Sequence, residues 1–586
     1  MTSSADFSGA DLPVDQAGQA RVDGGNVADL LAEVAAVHPN RPAVIGTDGV
    51  RSWRDLDRST NAGARALTAS ARGVTADAHG DRVVISLPTG ADLLVTLFAV
   101  ARAGLVAVPV EPGRGEVDEV VARVGAAVVV GAEVEGTTSI AAVGQWWTDQ
   151  GEPVPTVGGG EDLAMLARPS SARPVMVSHR AIRSAVRAIV AAPALGLRAD
   201  DRAVLVLPPY HLAGWVTAFL PLTLVGGAAV VPAVPEGPGQ WIQSVLETIR
   251  GHRVTVVPAA PSLYRRLRTA PDAERALASV RLMTSGAASL DPEDFAAIRS
   301  LTGQSVWEGY GISEAASVVS TSLMTAAPRP GSVGLPVQGL ELRIVGDDGE
   351  DLAAAEPEEV EPEDELDTLA DAPEAGDVGR IAIRGQCIFS GYWPDGSDGP
   401  DADGWFLTGD VGYLDDAGEL HLVDRAPESV VVAGFTVYPR EIEDVLAAHP
   451  YVRDAAVVGV AGRAGQSVVA VLVPQRGTRP TEDDLNEFVA DKLPVFKRPT
   501  AYLLVDRLPR TEIGRVDREA VRRAYLARTG GGDRPAVRLA SGTTETSAEA
   551  EGPEAEDAAP LAKLGTRLPA GERTGRVAQD SDADLF

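Results

Sequence analysis

The chain has 586 residues, 45% of them hydrophobic, with 52 Lys and Arg against 83 Asp and Glu and a formal net charge of −31. That length exceeds a single core and implies at least two domains. A surface this acidic repels nucleic acid and anionic membrane, which argues against both as partners.

Cys387 is the single cysteine, so no intramolecular disulfide can form and nothing argues for secretion. The N-terminus, MTSSADFSGADLPVDQ, lacks the basic and apolar segments of a signal peptide. No stretch reaches the length of a membrane span without charge or glycine. The expectation is a cytoplasmic protein without a membrane span. Lysine occurs only at Lys492, Lys497 and Lys563, so almost all basic residues are arginine.

Residues 1–25 are polar and Gly/Ser-rich and read as a disordered N-terminus. From Asn26 onward, apolar strand-like runs alternate with amphipathic helical runs. VVISLP (83–88) reads as a buried strand, DLLVTLFAVARAG (92–104) as a helix ended by Gly104, and VAVPVEP as the next strand. The pattern recurs at AVLVLPP (203–209), VTVVPAA (254–260) and VRLMTSG (280–286). Strand, helix, strand at this spacing means βαβ units and mostly parallel sheets. Residues 353–377 hold eleven acidic residues and no basic one. They read as a disordered insertion between two strands of a β-rich module. The stretch 402–425 has the turn signals of a β-meander. A shorter α+β alternation runs to about Arg528, and the Gly/Ala/Glu/Thr/Pro-rich tail from Thr529 reads as disordered.

The fold class expected is therefore α/β. A large N-terminal region (26–424) of layered αβ sheets plus a β-barrel-like module precedes a small mobile α+β domain (425–528).

Several strings occur in a fixed order: LPPYHLAGW (207–215), MTSGAASL (283–290), SVWEGYGISEAASVVS (305–320), GWFLTGDVG (404–412) and TEIGRVDR (511–518). Together they resemble the adenylate-forming (AMP-binding) superfamily of the acyl-CoA synthetase type, over roughly residues 26–528. The resemblance implies an ATP-dependent acid–thiol ligase that forms an acyl-adenylate and then an acyl-CoA thioester, as in fatty-acid activation. ATP/AMP, Mg²⁺ and coenzyme A would be its nucleotide, metal and thiol, and its partners a small carboxylic acid and a thiol.

The resemblance also implies residue roles. Tyr310 would stack on adenine, beside Gly286, Ala287 and Glu308, while Gly311 lets the backbone turn close to the nucleotide. Ser313 would bind a phosphate oxygen, and Glu314 would hold the magnesium ion, which prefers hard oxygen ligands. Asp410 would accept both ribose hydroxyls, with Arg425 close by. His211 and Trp215 would line the acyl pocket.

Four departures cut against activity. The phosphate loop of the family is rich in Gly and ends in Pro-Lys-Gly. Here ARPSSARPV (167–175) is about four residues short and has no glycine. Arg173 stands where that loop has its lysine, and Ser170 and Ser171 are the hydroxyls left to contact phosphate. Arg515 stands where the family has the lysine that bridges carboxylate and α-phosphate, and a planar guanidinium is not a compact ammonium. Pro427 occupies the pivot of the small domain, where a fixed φ opposes rotation. Ala433-Gly434 replaces a Gly-Gly pair. Two readings therefore stay open. One is an active ligase. The other is a catalytically degenerate homologue, a pseudoenzyme that binds a nucleotide, an acyl ligand or a protein. The acidic insertion or the tail would then dock a basic partner.

Overall fold

The computed structural model describes residues 24–73, 79–113, 117–167, 173–235, 240–346, 349–355, 376–425, 430–432, 435–437, 439–462, 465–490, 492–493, 497–510 and 516–529. The chain builds two α/β sheets, an antiparallel sheet and a C-terminal α+β unit; the strands of the six-stranded sheet lie in sequence between Gly49–Ser52 and Arg202–Val204 of the nine-stranded one. The mixed α/β class, with a large N-terminal region of sheets and a smaller C-terminal unit, is as the sequence predicts.

The nine-stranded sheet has a parallel centre, running Pro42–Gly46, Ala228–Val230, Arg202–Val204, Val256–Ala259, Leu282–Ser285, Val306–Tyr310. Antiparallel strands close both ends. Parallel neighbours need crossover helices, which bury both faces of each strand. That is why runs such as VTVVPAA carry apolar residues without alternation.

The six-stranded sheet is parallel apart from one antiparallel pair, Leu163–Ala167 with Val175–Ser178. The short segment expected to meet phosphate joins these two strands. Helix Ala91–Arg102 is buried at every position except Asp92, as its unbroken apolar sequence demands. Phe98 on this helix packs edge-on against Trp215 at 4.7 Å, so one apolar core spans both sheets.

The β-rich module is a five-stranded antiparallel sheet in the order Asp351–Ala355, Leu340–Val345, Gly379–Gly385, Phe406–Leu414, Leu420–Arg425. Ala353, Ala354 and Ala355 pair in register with Ile344, Arg343 and Leu342. The acidic stretch thus loses its first three residues to a strand, which corrects the boundary expected at 353. Their alanines carry no charge to keep them in water. Residues 356–375 lie outside the described residues, as do 1–23 and 530–586.

In the C-terminal unit, Val452–Gly462 pairs antiparallel with Gly465–Pro474, and Ala501–Leu504 joins in parallel. Helices Pro439–Ala447 and Glu482–Ala490 cover one face with Ile442, Leu446, Leu485 and Val489, all fully buried. Among the described residues no helix is long and apolar enough to cross a membrane.

Candidate active site

A cavity of about 850 Å³ opens at the carboxyl ends of the central parallel strands. Ala259, Ser285 and Tyr310 are the last residues of three of these strands, and all line it. Open parallel sheets leave their crevice at this edge, where strands stop and loops diverge. Gly286, Ala287, Gly311, Ser313, Glu314, Asp410 and His211 line the same cavity. Residues from five separate strings thus meet in one place.

Strand ends and turns set the nucleotide-like end. Ala287 follows its strand with φ 70°, a left-handed turn that bends the backbone across the cavity mouth. At Gly311 a Cβ would lie 2.1 Å from the Ser317 carbonyl oxygen, so no larger residue fits where the chain doubles back. The Tyr310 hydroxyl donates to Asp410 Oδ2 at 2.5 Å, and both residues are buried. This bond fixes the ring and orients the carboxylate in one step. Asp410 and Arg425 face each other in strand register; the Arg425 side chain lies outside the described residues. Ser285 Oγ is buried at the wall without a hydrogen-bond partner among the described residues. A polar ligand group would satisfy it, since such an orphan is costly to leave.

Glu314 sits in a short 3₁₀ turn, Ser313–Ala315. Its Oε1 accepts from the Tyr392 hydroxyl at 2.9 Å, and its backbone oxygen accepts from Phe389 N–H at 2.8 Å. Among the described residues no three His, Cys, Asp or Glu converge as a metal cluster. A single buried carboxylate such as Glu314 matches the ligand chemistry of a cation that takes one or two carboxylates and fills its shell with phosphate oxygens and water, as magnesium does. Arg173 is half-exposed and is not among the lining residues. Its guanidinium lies 4.2 Å over the Tyr392 ring and pairs with Asp398. Ser170 and Ser171 lie outside the described residues.

The other end is apolar. Ile189, Leu197, Leu207, Leu222 and Val256 line it together with His211, whose ring meets Tyr210 edge-on at 4.9 Å. A π-helical turn, Gly214–Phe219, presents Thr217 and Ala218 to the cavity. Trp215, expected in the acyl pocket, is not among the lining residues. It stacks on Phe219 at 5.5 Å in the core, because the two lie four apart on the opposite side of the turn.

Glu308, expected at the nucleotide, is likewise not among the lining residues. Its neighbours Trp307 and Gly309 line the cavity, and strand alternation turns its own side chain the other way. The carboxylate accepts from Leu290 N–H at 3.0 Å. Burial pushes its pKa up to about 7, against the lowering pull of that bond and of Arg440.

Tyr392, Arg510 and Asp517 are among the cavity residues that the sequence reading did not single out. Tyr392 sits in QCIFSGYWP, which carries no chemical signal on its own. Arg510 reaches the cavity from the C-terminal unit, as does Asp517. These two flank 511–515, and Arg515 itself lies outside the described residues, as does Pro427. Arg440, at the start of helix Pro439–Ala447, donates to Ser289 Oγ and ties that unit to the cavity rim.

Comparison with known proteins is consistent over most of the chain. The sequence model for "AMP-binding enzyme" matches residues 31–161 and 171–393, and that for "AMP-binding enzyme C-terminal domain" matches 441–515. The chain is 30% identical over 545 residues to 4-coumarate–CoA ligase 1 of Oryza sativa subsp. japonica, covering 84% of this chain and 91% of that one. It is 25% identical over 556 residues to a long-chain-fatty-acid–CoA ligase of Escherichia coli O157:H7, covering 85% and 94%. The crystal structure of ATP-bound MatB from Rhodopseudomonas palustris superposes with a TM-score of 0.74 at 26% identity, covering 86% of this chain and 99% of that one. Apo MatB superposes at 0.64 and 27% identity, covering 86% and 99%. Motif order, cavity and whole-chain matches agree: this chain belongs to the AMP-binding enzyme family.

Proposed function

We propose that the protein is an ATP-dependent, AMP-forming ligase that joins an apolar acid with a single carboxyl group to the thiol of coenzyme A. The observation that carries this reading is one cavity whose lining holds Tyr310, Glu314 and Asp410 together with an apolar wall. The curated relatives named above are CoA ligases, which sets the reaction class. The division into a large region (26–424) and a small mobile domain (425–528) is part of the same reading.

In the first half-reaction the acid's carboxylate oxygen attacks the α-phosphorus of ATP, and pyrophosphate leaves. In the second, the thiol sulfur attacks the acyl carbon, AMP leaves, and the thiol proton passes to solvent. Asp410 accepts the ribose hydroxyls, with the Tyr310 hydroxyl holding it in place. Ser313 contacts a phosphate oxygen. Glu314 would hold Mg²⁺, which would supply neutralisation of the phosphate charge. Cations at this end stabilise charge that grows on the phosphoryl oxygens.

The wall selects the acid. Arg510 is the one Arg or Lys among the described lining residues, and it enters from the C-terminal unit. A second carboxylate pushed into the apolar end would lose its hydration with no cation to meet it, which is prohibitive. Acid-dependent pyrophosphate release should therefore appear with aromatic or medium-chain acids and not with short dicarboxylates. Asp410→Ala should lower kcat/KM by about a hundred-fold or more, as loss of a charge-assisted contact does. Equal release from dicarboxylates would refute the substrate class. Unchanged release in Asp410→Ala would refute the site.

A second reading is favoured by one observation: the segment that joins Leu163–Ala167 to Val175–Ser178 is short and carries no glycine to cradle a phosphate. In that reading the chain is a degenerate homologue that binds nucleotide or acyl ligand without turnover. It predicts no turnover with any acid, and a gain of turnover from Arg515→Lys alone would rule it out.

A further inference from the structure

We propose that Tyr392 is the positioning residue for the phosphate end of this site: its hydroxyl holds the Glu314 carboxylate while its ring carries the Arg173 guanidinium. One side chain thus aligns a carboxylate and a cation where the short segment 168–172 brings no glycine. The inference rests on the ligase reading above, in which Glu314 meets Mg·ATP.

The backbone around Tyr392 is held from three sides. Gly391 has φ 95°, and a Cβ there would lie 2.2 Å from the Gly396 carbonyl oxygen, so the turn closes only with glycine. Across that turn Gly396 N–H donates to the Tyr392 oxygen at 2.8 Å, and Tyr392 N–H donates to the Ser397 oxygen at 3.2 Å. The segment also zips onto the residues that follow 168–172. Trp393 N–H reaches the Pro174 oxygen at 2.9 Å, Met176 N–H reaches the Gly391 oxygen at 3.1 Å, and Ser390 N–H reaches the Met176 oxygen at 2.9 Å. The third tie runs from Phe389 N–H to the Glu314 backbone oxygen at 2.8 Å. The Phe389 ring then meets the Tyr392 ring edge-on at 5.0 Å.

With its backbone fixed, the side chain has two tasks. An ionised carboxylate only accepts, so the phenol donates to Glu314 Oε1 at 2.9 Å. A carboxylate offers about four acceptor sites, and this bond fixes the orientation of the Glu314 carboxylate. The opposite task falls to the ring face, which holds Arg173 at 4.2 Å while Asp398 grips the same guanidinium. A planar guanidinium can stack on an aromatic face and still present N–H donors to a carboxylate such as Asp398. The arrangement gives arginine a structural reason to stand at 173.

The test is calorimetric titration of the full chain with AMP and with Mg·ATP, for the wild type, Tyr392→Phe and Arg173→Ala. Tyr392→Phe keeps the ring and removes only the hydroxyl. It should weaken Mg·ATP binding by about ten- to a hundred-fold, the usual effect of removing a partner of a metal ligand, and leave AMP affinity unchanged. Arg173→Ala should also lose more affinity for Mg·ATP than for AMP. Because Arg173 is half-exposed, this variant carries the test if Tyr392→Phe does not fold. Mg·ATP affinity at the wild-type level in both variants overturns the proposal. So does an equal loss of AMP and Mg·ATP affinity, which would mark a merely structural role. If the wild type binds AMP and not Mg·ATP, the proposal falls while the nucleoside contacts stand. If it binds neither, the ligase reading falls with it.

Discussion

Glu308 shows how far one residue can move from its expected role. Its carboxyl is buried with its pKa raised to about 7 by desolvation. The folded protein therefore holds that proton more tightly than the unfolded chain does. The stabilising effect is full below the unfolded value near 4.5 and is lost as pH rises through about 7. Glu308→Gln removes the ionisation. Its stability relative to wild type should rise between pH 5 and pH 8 by roughly 2–3 kcal/mol, at about 1.4 kcal/mol per pKa unit. Denaturant melts at the two pH values check this, and a constant difference between the proteins would contradict it. Glu308 lies beside real cavity residues in sequence, so only strand alternation could have separated it. Tyr392 was invisible for the opposite reason: its partner Glu314 is 78 positions away, and Gly-Tyr-Trp announces no chemistry by itself.

Among the elements, the π-helical turn Gly214–Phe219 decides the shape of the apolar end. The resemblance alone put Trp215 in the acyl pocket; its ring instead packs in the core against Phe98 and Phe219. Ala218 is buried and lines the cavity. Ala218→Phe would fill space that a bulky acid needs. The ratio of kcat/KM for a long apolar acid over a short one should then fall at least ten-fold, the scale on which pocket methylenes discriminate. An unchanged ratio in pyrophosphate-release assays would place the acid elsewhere. The sheets themselves were legible, because unbroken apolar runs of strand length bounded by Gly and Pro leave few alternatives. Ala353–Ala355 were not, since their place in a strand depends on pairing with Leu342–Ile344.

At the scale of the whole molecule, the C-terminal unit is seated at the cavity. Arg510 and Asp517 line it, and Arg440 reaches Ser289 across the rim. Co-linear motifs made this assembly legible in outline. The contacts of 511–515 and the pivot at Pro427 lie outside the described residues.

The central claim is that nucleotide and apolar acid share one cavity. The most direct test is the affinity of a non-hydrolysable acyl-adenosine sulfamate with an apolar acyl group, compared with AMP by calorimetry. Burying an apolar acyl group of about 150 Å² at roughly 25 cal/mol per Å² predicts tightening by about a hundred-fold or more over AMP. An affinity no better than that of AMP would contradict a shared cavity.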